Sequence, residues 1–449
     1  MRNKLYFYNA DDKLNTNKEF LNEIDFESLN DYYNIKIKNK YLKKINTYRK
    51  ILIGIIFKEI KFYNKENFSF EELNFFLGHW INRYIYISIN RYENLIFLKK
   101  KYKNFEFIFK ISKTQKKFID SFDYLDNVNN NNFNNSILSN LSDYLNIPHK
   151  NVKVNITQKK KNNWFNIKNK IIYICYLFQI FKKGNLIFNS YLNKKNNNYF
   201  IYNFRSIILP SFPYLTLKDN SYNINKRSKI YFKYKTSKSD DILEKFLISN
   251  LFMHIPVSFF EGVMIYKNHA NNMFNRRKFK KITTANHFDH NDLFKLFCIY
   301  QKRGSSTINL IQHGNNYFTN IYSSYSSETT FANYFHTWGK QGSLSNNYFN
   351  VRTFNYKPNF KLKRNNNILI IIEDIPHKCF LNNNYLNYLK NIKLISNFRD
   401  YLVSKKITFD FKIIDNPKTK NLFNKLNFNK LKKNRDFLDI IDDYDIILF

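Results

Sequence analysis

The chain has 449 residues, in which 73 Lys and Arg stand against 35 Asp and Glu for a formal net charge of +38. Hydrophobic residues make up 43%, which is enough to bury a sizeable core and excludes a mainly disordered chain. With only 8 Gly and 3 Cys, collagen-like and disulfide-scaffold classes are excluded as well. Because the lysines are spread along the chain instead of forming one stripe, we interpret the charge as compositional and expect no specific nucleic-acid partner.

The spacing of the cysteines and the lengths of the apolar runs indicate in which cellular compartment the protein is found. Cys175, Cys298 and Cys379 form no C-x-x-C pair, which favours a reducing interior. The opening residues MRNKLYFYNADDK lack the apolar segment of a signal peptide, and the longest apolar runs fall short of the ~20 residues that a bilayer requires. We therefore predict a cytoplasmic protein that can make peripheral contact with the inner face of the membrane.

The N-terminal region, residues 1–150, is predicted to be mainly helical. Residues 70–94 repeat apolar side chains near a 3.6-residue period, which predicts a helix with one broad apolar face. The asparagine-rich run 127–135 predicts a loop, followed by a helix over 136–145. Runs rich in lysine and asparagine at 158–170 and 194–198 predict exposed connections.

Strands and helices alternate from residue 278 onward. Residues 279–284 predict a strand, residues 292–303 a helix, and residues 307–312 a second strand. Gly304 is predicted to end the helix in the left-handed conformation. A strand–helix–strand succession of this kind implies neighbouring parallel strands, so we predict an α/β fold.

A second α/β region is predicted after a linker. Residues 353–367 contain Pro358 and the polar cluster KLKRNNN, which is typical of a connection between domains. The elements that follow predict the first half of a doubly wound domain. They are strands at 368–373, 408–414 and 445–449 and helices at 385–404 and 435–441. Because a parallel strand needs both faces covered, we expect the sequence to be a truncated version of a longer protein.

Polar residues gather where two strands of the predicted sheet end. Thr284 and Asn286 follow the first strand, and Gln312, His313 and Gly314 follow the second. Open α/β sheets bind ligands outside the carboxyl ends of their strands. An imidazole, with an ordinary pKa near 6.5, can move a proton or donate to an anion, and a glycine lets the backbone approach a ligand closely. This pattern predicts a ligand crevice, with a purely structural turn as the alternative.

The stretch between the first strand and the helix admits two interpretations. His287, Asp289 and His290 carry groups that can ligate a metal, but Asp and Asn at this place are also ordinary helix caps. Capping by Asp289 or Asn291 is favoured, so we predict no metal site and no cofactor. The D-x-D pattern of Asp443 and Asp445 is interpreted as chance.

The stretch from about Pro256 to Gly339 resembles a family of transferases encoded in bacterial surface-polysaccharide and O-antigen gene loci. The matching features are Pro256 with Glu261, the strand end Thr284 to Asn286, the segment Gly304 to Gly314 that ends in Q-H-G, Glu328, and the run Phe331 to Gly339. Gly78, Trp80 and Arg91 resemble a further region of the family more loosely.

The resemblance implies the two-domain GT-B glycosyltransferase architecture, with two Rossmann-like domains. Residues 1–150 and 151–352 then form the acceptor-side domain, 353–367 the linker and 368–449 a partial donor-side domain. The part expected to be missing includes the loop that holds the nucleotide sugar in the family. We therefore expect residues 1–449 alone to bind nucleotide sugars weakly or not at all.

The activity that the resemblance implies is transfer of a sugar from a nucleotide-sugar donor to a carbohydrate or lipid-linked acceptor, without a metal. His313 and Glu328 are the implied catalytic residues. The implied substrate-binding residues are Gln312, Gly314, Thr284, Asn286 and Glu261. Two alternatives stay open: a CDP-glycerol-type polyol-phosphate transferase, which also uses a His-Gly pair at a strand end, and a non-catalytic basic binding protein.

Overall fold

The computed structural model describes the helical and sheet-forming parts of the chain. The described residues are 3–7, 35–113, 117–128, 130–154, 184–188, 206–209, 215, 217, 221–236, 239–273, 278–312, 327–337, 348–350, 367–372, 385–413, 444 and 446–448. They belong to two compact units, one with the described residues up to 350 and one with those from 367 onward. The predicted connections at 158–170 and 194–198 lie outside the described residues.

The first unit begins with a three-stranded parallel sheet and a layer of helices. The strand order is β1-β2-β3, and Phe107 of β2 lies in register with Leu5 on one side and His149 on the other. The predicted helical region therefore also contributes parallel strands. Its elements are β1 (Asn3–Phe7), α1 (Ile35–Asn64), α2 (Phe70–Lys101), β2 (Phe105–Ser112), α3 (Ser121–Val128), α4 (Asn131–Tyr144) and β3 (His149–Val154).

A six-stranded parallel sheet follows in the same unit, with the strand order β5-β4-β6-β7-β8-β9. The predicted strand–helix–strand succession is confirmed as β6, α9 and β7, and Ile282 of β6 lies opposite Ile308 of β7. The elements are β4 (Asn185–Phe188), β5 (Ser206–Leu209), α5 (Ile224–Lys235), α6 (Ile242–His254), a 3₁₀ turn (Val257–Phe259), α7 (Val263–Asn272), β6 (Lys281–Thr284), α8 (His287–His290), α9 (Asp292–Arg303), β7 (Thr307–Ile311), α10 (Ser327–Phe331), β8 (Tyr334–Thr337) and β9 (Tyr348–Asn350).

Helix α2 is the central helix of the first unit. The Ser69 hydroxyl accepts from the Glu72 backbone N–H at 3.1 Å, and the Glu72 carboxylate accepts from the Ser69 backbone N–H at 2.7 Å, so a capping box fixes its start. Trp80 and Tyr84 are fully buried, and α2 packs against α1, α4, α6, α9 and α10. The helix predicted at 70–94 is confirmed and continues to Lys101. Among the described helices, none combines the length and the apolar character needed to cross a bilayer.

The second unit contains a three-stranded parallel sheet in the order β11-β10-β12. Leu369 and Tyr444 pack together in a buried cluster, and the Tyr444 hydroxyl donates to Asp410 Oδ2 at 2.7 Å. The predicted strands and the helix at 385–404 are confirmed, whereas the predicted helix at 435–441 lies outside the described residues. The elements are β10 (Ile368–Ile372), α11 (Tyr385–Ser404), β11 (Phe409–Ile413) and β12 (Ile446–Leu448). The α/β fold with parallel sheets is therefore confirmed.

The prediction of a loop at 127–135 is wrong, because α3 and α4 meet within this run. The Asn130 side chain accepts from the Phe133 backbone N–H at 3.3 Å near the start of α4. Asn134 is buried, donates to the Val128 carbonyl at 2.9 Å and accepts from Arg91 at 2.8 Å. Because the side chains of Asn130 and Asn134 have hydrogen-bond partners within the fold, their polarity does not require these residues to lie in a loop.

The predicted left-handed conformation at Gly304 is wrong as well. Gly304 has φ −86° and ψ 15°, and the residue with positive φ is Ser305, at 73°. The Ser306 backbone N–H returns to the Gln301 carbonyl at 3.0 Å and closes the end of α9. The turn therefore reverses the chain one residue later than predicted.

Candidate functional site

The order of strands β4, β6 and β7 indicates where a ligand crevice is expected. The chain adds β5 on one side of β4 and then crosses to β6 on the other side, so the direction of sheet growth reverses there. In open parallel sheets, ligands bind beyond the carboxyl ends of the strands at such a reversal. Phe188 ends β4, Thr284 ends β6 and Ile311 ends β7. We place the candidate site beyond these residues.

Two predicted site residues follow β6. Thr284 is fully buried, and its hydroxyl accepts from the His287 backbone N–H at 3.3 Å. Asn286 is half-buried and immediately precedes α8. The Thr284 hydroxyl therefore helps to shape the turn that leads into α8, and Asn286 lies on that turn.

Gln312 follows β7 and is buried. Its backbone N–H donates to the carbonyl of His336 in β8 at 2.8 Å, which extends the pairing of β7 and β8 past the end of β7. Because β6 and β7 are adjacent and parallel, Gln312 and Thr284 lie at the same edge of the sheet. His313 and Gly314 lie outside the described residues, so their roles stay predictions.

His79 of α2 lies between two carboxylates. Its Nδ1 is 3.0 Å from Asp289 Oδ1 in α8, and its Nε2 is 3.1 Å from Glu328 Oε2 in α10. Arg83, one turn further along α2, donates from Nη2 to the same Asp289 oxygen at 2.9 Å. The side chain of Glu328 is only 3% exposed. This Glu328–His79–Asp289 cluster joins the helix after β6 to the helix that precedes β8.

The cluster favours the charged form of its imidazole. Burial of the ring opposes protonation, but the carboxylates of Glu328 and Asp289 more than offset it and raise the pKa of His79 from 6.5 to about 9. At neutral pH the cluster therefore holds an imidazolium between two carboxylates. A perturbed imidazole of this kind marks the cluster as a candidate functional site.

We expect the pH to change stability through His79. Its folded-state pKa of about 9 lies above the unfolded value near 6.5, so its stabilising contribution is complete below pH ~6.5 and is lost as the pH rises to about 9. The loss is on the order of 3 kcal/mol. Urea unfolding of the wild type and of His79→Gln at both ends of this range measures it. If the free energy of unfolding changed by the same amount over this pH range in both proteins, the pH dependence could not be assigned to His79.

Close packing holds α10 against α2. The rings of Phe331 and Phe75 stack with their centroids 4.0 Å apart. A Cβ atom at Gly78 would lie 2.5 Å from the Cβ atom of Ser327, so the two helices approach this closely only because residue 78 is glycine. This approach brings the carboxylate of α10 within reach of the imidazole of α2.

Glu261, a predicted substrate-binding residue, pairs with Arg227. The Arg227 Nε and Nη2 atoms donate to the two carboxylate oxygens at 2.7 and 2.6 Å, and the Asn223 backbone N–H donates at 3.2 Å. Arg227 is fully buried and also donates from Nη1 to the carbonyl of Ile255 at 2.6 Å. In the described geometry Glu261 anchors the start of α5, and substrate binding by this residue stays a prediction.

Replacing Glu261 by glutamine should lower the free energy of unfolding by about 3–5 kcal/mol, because it leaves the Arg227 guanidinium buried without its counter-charge. Glu71→Gln is the matched control, since Glu71 pairs with Lys302 at 3.0 Å but is 50% exposed. That change should cost less than about 1 kcal/mol. Chemical denaturation measures both, and equal small losses would show that the buried pair contributes little.

The structure also decides which residue caps α9. The Asn291 side chain accepts from the Phe294 backbone N–H at 3.0 Å, so Asn291 is the cap. Asp289 instead faces α2, as described above. The His287 ring packs between Phe188 and Phe294, with centroid distances of 5.7 and 5.6 Å. His287 thus covers the carboxyl end of β4 with an aromatic contact.

Sequence reasoning did not single out His79 or Arg83. The signal was present, because the two polar residues are one turn apart on a helix that is otherwise rich in apolar side chains. Gly78 and Trp80, on either side of His79, carry part of the family resemblance. For Asp289 the sequence pattern indicates only a helix cap or a metal ligand.

A doubly wound parallel sheet with ionisable side chains beside its strand ends is the arrangement of α/β proteins that bind ligands in a crevice. Residues 7–409 match the family described as LIC12162 family transferase, and the chain belongs to this family. The protein is therefore a member of a transferase family. No curated protein and no solved structure matches the chain.

Proposed function

We propose that this transferase moves a sugar from a nucleotide-sugar donor to a carbohydrate or lipid-linked acceptor, in the assembly of a cell-surface polymer and on a GT-B-like pair of domains. The observation that carries the proposal is the edge of the six-stranded sheet, where Thr284 ends β6 and Gln312 follows the neighbouring strand β7, directly before a His-Gly pair. Membership of a transferase family and two compact units with parallel sheets support it.

The proposed reaction needs a base at the acceptor. The acceptor hydroxyl oxygen bonds to the anomeric carbon of the sugar, and the bond from that carbon to the nucleotide phosphate breaks. The nucleoside diphosphate leaves with the electron pair, and the hydroxyl proton moves to a base. We assign this base to His313, because an imidazole with an ordinary pKa near 6.5 accepts a proton efficiently at neutral pH.

Glu328 supports the proposed site through its contact with His79. The cluster fixes the start of α10, which is the first described element after the segment that carries His313 and Gly314. We assign Glu328 a positioning role for that segment. Its acid–base role toward His313 stays a prediction.

The identity of the released nucleotide tests the proposal. Glycosyl transfer breaks the bond between the sugar and the phosphate and releases a nucleoside diphosphate, whereas a polyol-phosphate transferase breaks the diphosphate and releases CMP. The purified protein is incubated with UDP-, GDP-, CDP- and dTDP-sugars and with CDP-glycerol, together with lipid-linked oligosaccharide acceptors. Chromatography then separates the nucleotides.

We expect acceptor-dependent release of a nucleoside diphosphate from one donor class. Release of CMP from CDP-glycerol alone would replace the proposal with the polyol-phosphate alternative. Free phosphate or sugar without acceptor modification would contradict both transferase assignments.

A further inference from the structure

The outer side of α5 exposes large apolar side chains among lysines. Phe232 is 65% exposed and Ile224 is 44% exposed. They are eight positions apart on a regular helix, so they lie on the same side. The opposite side is buried through Arg227 and Ile230. Exposed apolar side chains on one face of a helix, rimmed by charged residues, form a candidate interaction surface.

The charges of α5 are all positive. The helix has no acidic residue in its sequence INKRSKIYFKYK, and Lys229, Lys233 and Lys235 are exposed. At a rotation of about 100° per residue, Lys229 and Lys235 flank Phe232 on either side of the exposed face. An anionic surface therefore complements the charge of this face, while Phe232 supplies an apolar contact.

The C-terminal end of α1 lies beside α5 and likewise exposes an aromatic side chain among lysines. Lys226 lies over the ring of Tyr63 at 4.0 Å, and Lys233 Nζ is 2.6 Å from Glu59 Oε1, so side chains of α5 contact the C-terminal end of α1. Phe62 of α1 is 74% exposed. Its exposed neighbours are Lys58, Lys61 and Lys65.

We propose that the exposed face of α5, together with the adjoining end of α1, binds the anionic phospholipid surface of a membrane. The aromatic rings enter the headgroup region, and the lysine ammonium groups contact lipid phosphates. We favour a bilayer over nucleic acid because the aliphatic side chain of Ile224 also lies on this face. Nucleic acid would bind through its phosphates and would make no use of this side chain, whereas a bilayer offers it an apolar environment. The surface goes beyond the proposed activity, and it would hold the enzyme where a lipid-linked acceptor lies.

Sedimentation with vesicles tests this surface without donor or acceptor, so it can fail while the proposed activity holds. Vesicles of phosphatidylcholine alone are compared with vesicles that also contain phosphatidylglycerol. We expect binding to the anionic vesicles that weakens as salt is added. Phe232→Ser should weaken this binding about tenfold, and Lys229→Gln with Lys235→Gln about fivefold for each lysine.

Phe70→Ser is the matched control, because Phe70 is 53% exposed on a different helix, and it should leave vesicle binding unchanged. Equal affinities of the Phe232→Ser and Phe70→Ser variants would overturn the proposal, as would absent binding to anionic vesicles. Tighter binding to duplex DNA than to vesicles, reduced by the lysine changes but not by Phe232→Ser, would assign the surface to nucleic acid instead.

Discussion

Replacing His313 by alanine should lower transferase turnover by a factor of about 10² to 10⁴, which is the usual contribution of a general base. The expectation follows from its place in the sequence, directly after Gln312 at the end of a strand that borders the crevice. The rate of nucleotide release at saturating donor measures the effect.

The matched control for this change is His269→Ala. His269 lies half-buried in α7, apart in sequence from the strand ends of the candidate site, and burial lowers the pKa of its imidazole. We expect the turnover of the His269→Ala variant to match that of the wild type. If His313→Ala retained turnover within a factor of about two while keeping the far-UV circular dichroism of the wild type, His313 would have no part in proton transfer.

Replacing His79 by leucine should lower the free energy of unfolding by about 3–5 kcal/mol. The substitution removes the cation between Glu328 and Asp289, at 3.1 and 3.0 Å from its ring nitrogens, and leaves a nearly buried carboxylate opposite an apolar side chain. Equilibrium unfolding in urea, followed by circular dichroism, measures the loss.

Two further variants show whether this loss comes from the charge. Combining His79→Leu with Glu328→Gln removes the buried Glu328 carboxylate that has lost its cationic partner. The double variant should therefore recover part of the stability. His149→Leu should cost less, about 1–2 kcal/mol, because it removes a contact at 3.6 Å with an Asp143 carboxylate that is 69% exposed and a hydrogen bond from Nδ1 to the Ile147 carbonyl at 3.0 Å. Equal losses in His79→Leu and His149→Leu would contradict a stabilising role of the cluster.

The elements with strong local signals could be predicted from the sequence. Helix α9 runs from Asp292 to Arg303 and α11 from Tyr385 to Ser404, both as predicted. In α9 a side-chain cap fixes the start, and in both helices apolar residues recur with the helical period. The parallel pairing of β6 with β7 could also be predicted, because a helix that connects two neighbouring strands requires a parallel crossover.

The contacts of the candidate site could not be predicted in the same way. Arg83 and Asp289 are 206 positions apart, so no local pattern joins them. The carboxylate of Glu328 reaches His79 only because Gly78 lets α10 approach α2. Tertiary contacts also explain the wrong loop prediction, since Asn134 finds its partners in Arg91 and the Val128 carbonyl. Thr284 and Gln312 were placed at one sheet edge correctly because strand ends are local features.

The activity proposed for this family member is transfer of a sugar from a nucleotide donor to an acceptor. Mass spectrometry of lipid-linked and free oligosaccharide acceptors, after incubation with isotope-labelled nucleotide sugars, tests it most directly. We predict that one acceptor class gains the mass of one labelled sugar with the wild type and not with His313→Ala. A gain of glycerol phosphate from CDP-glycerol in place of any labelled sugar would contradict the claim.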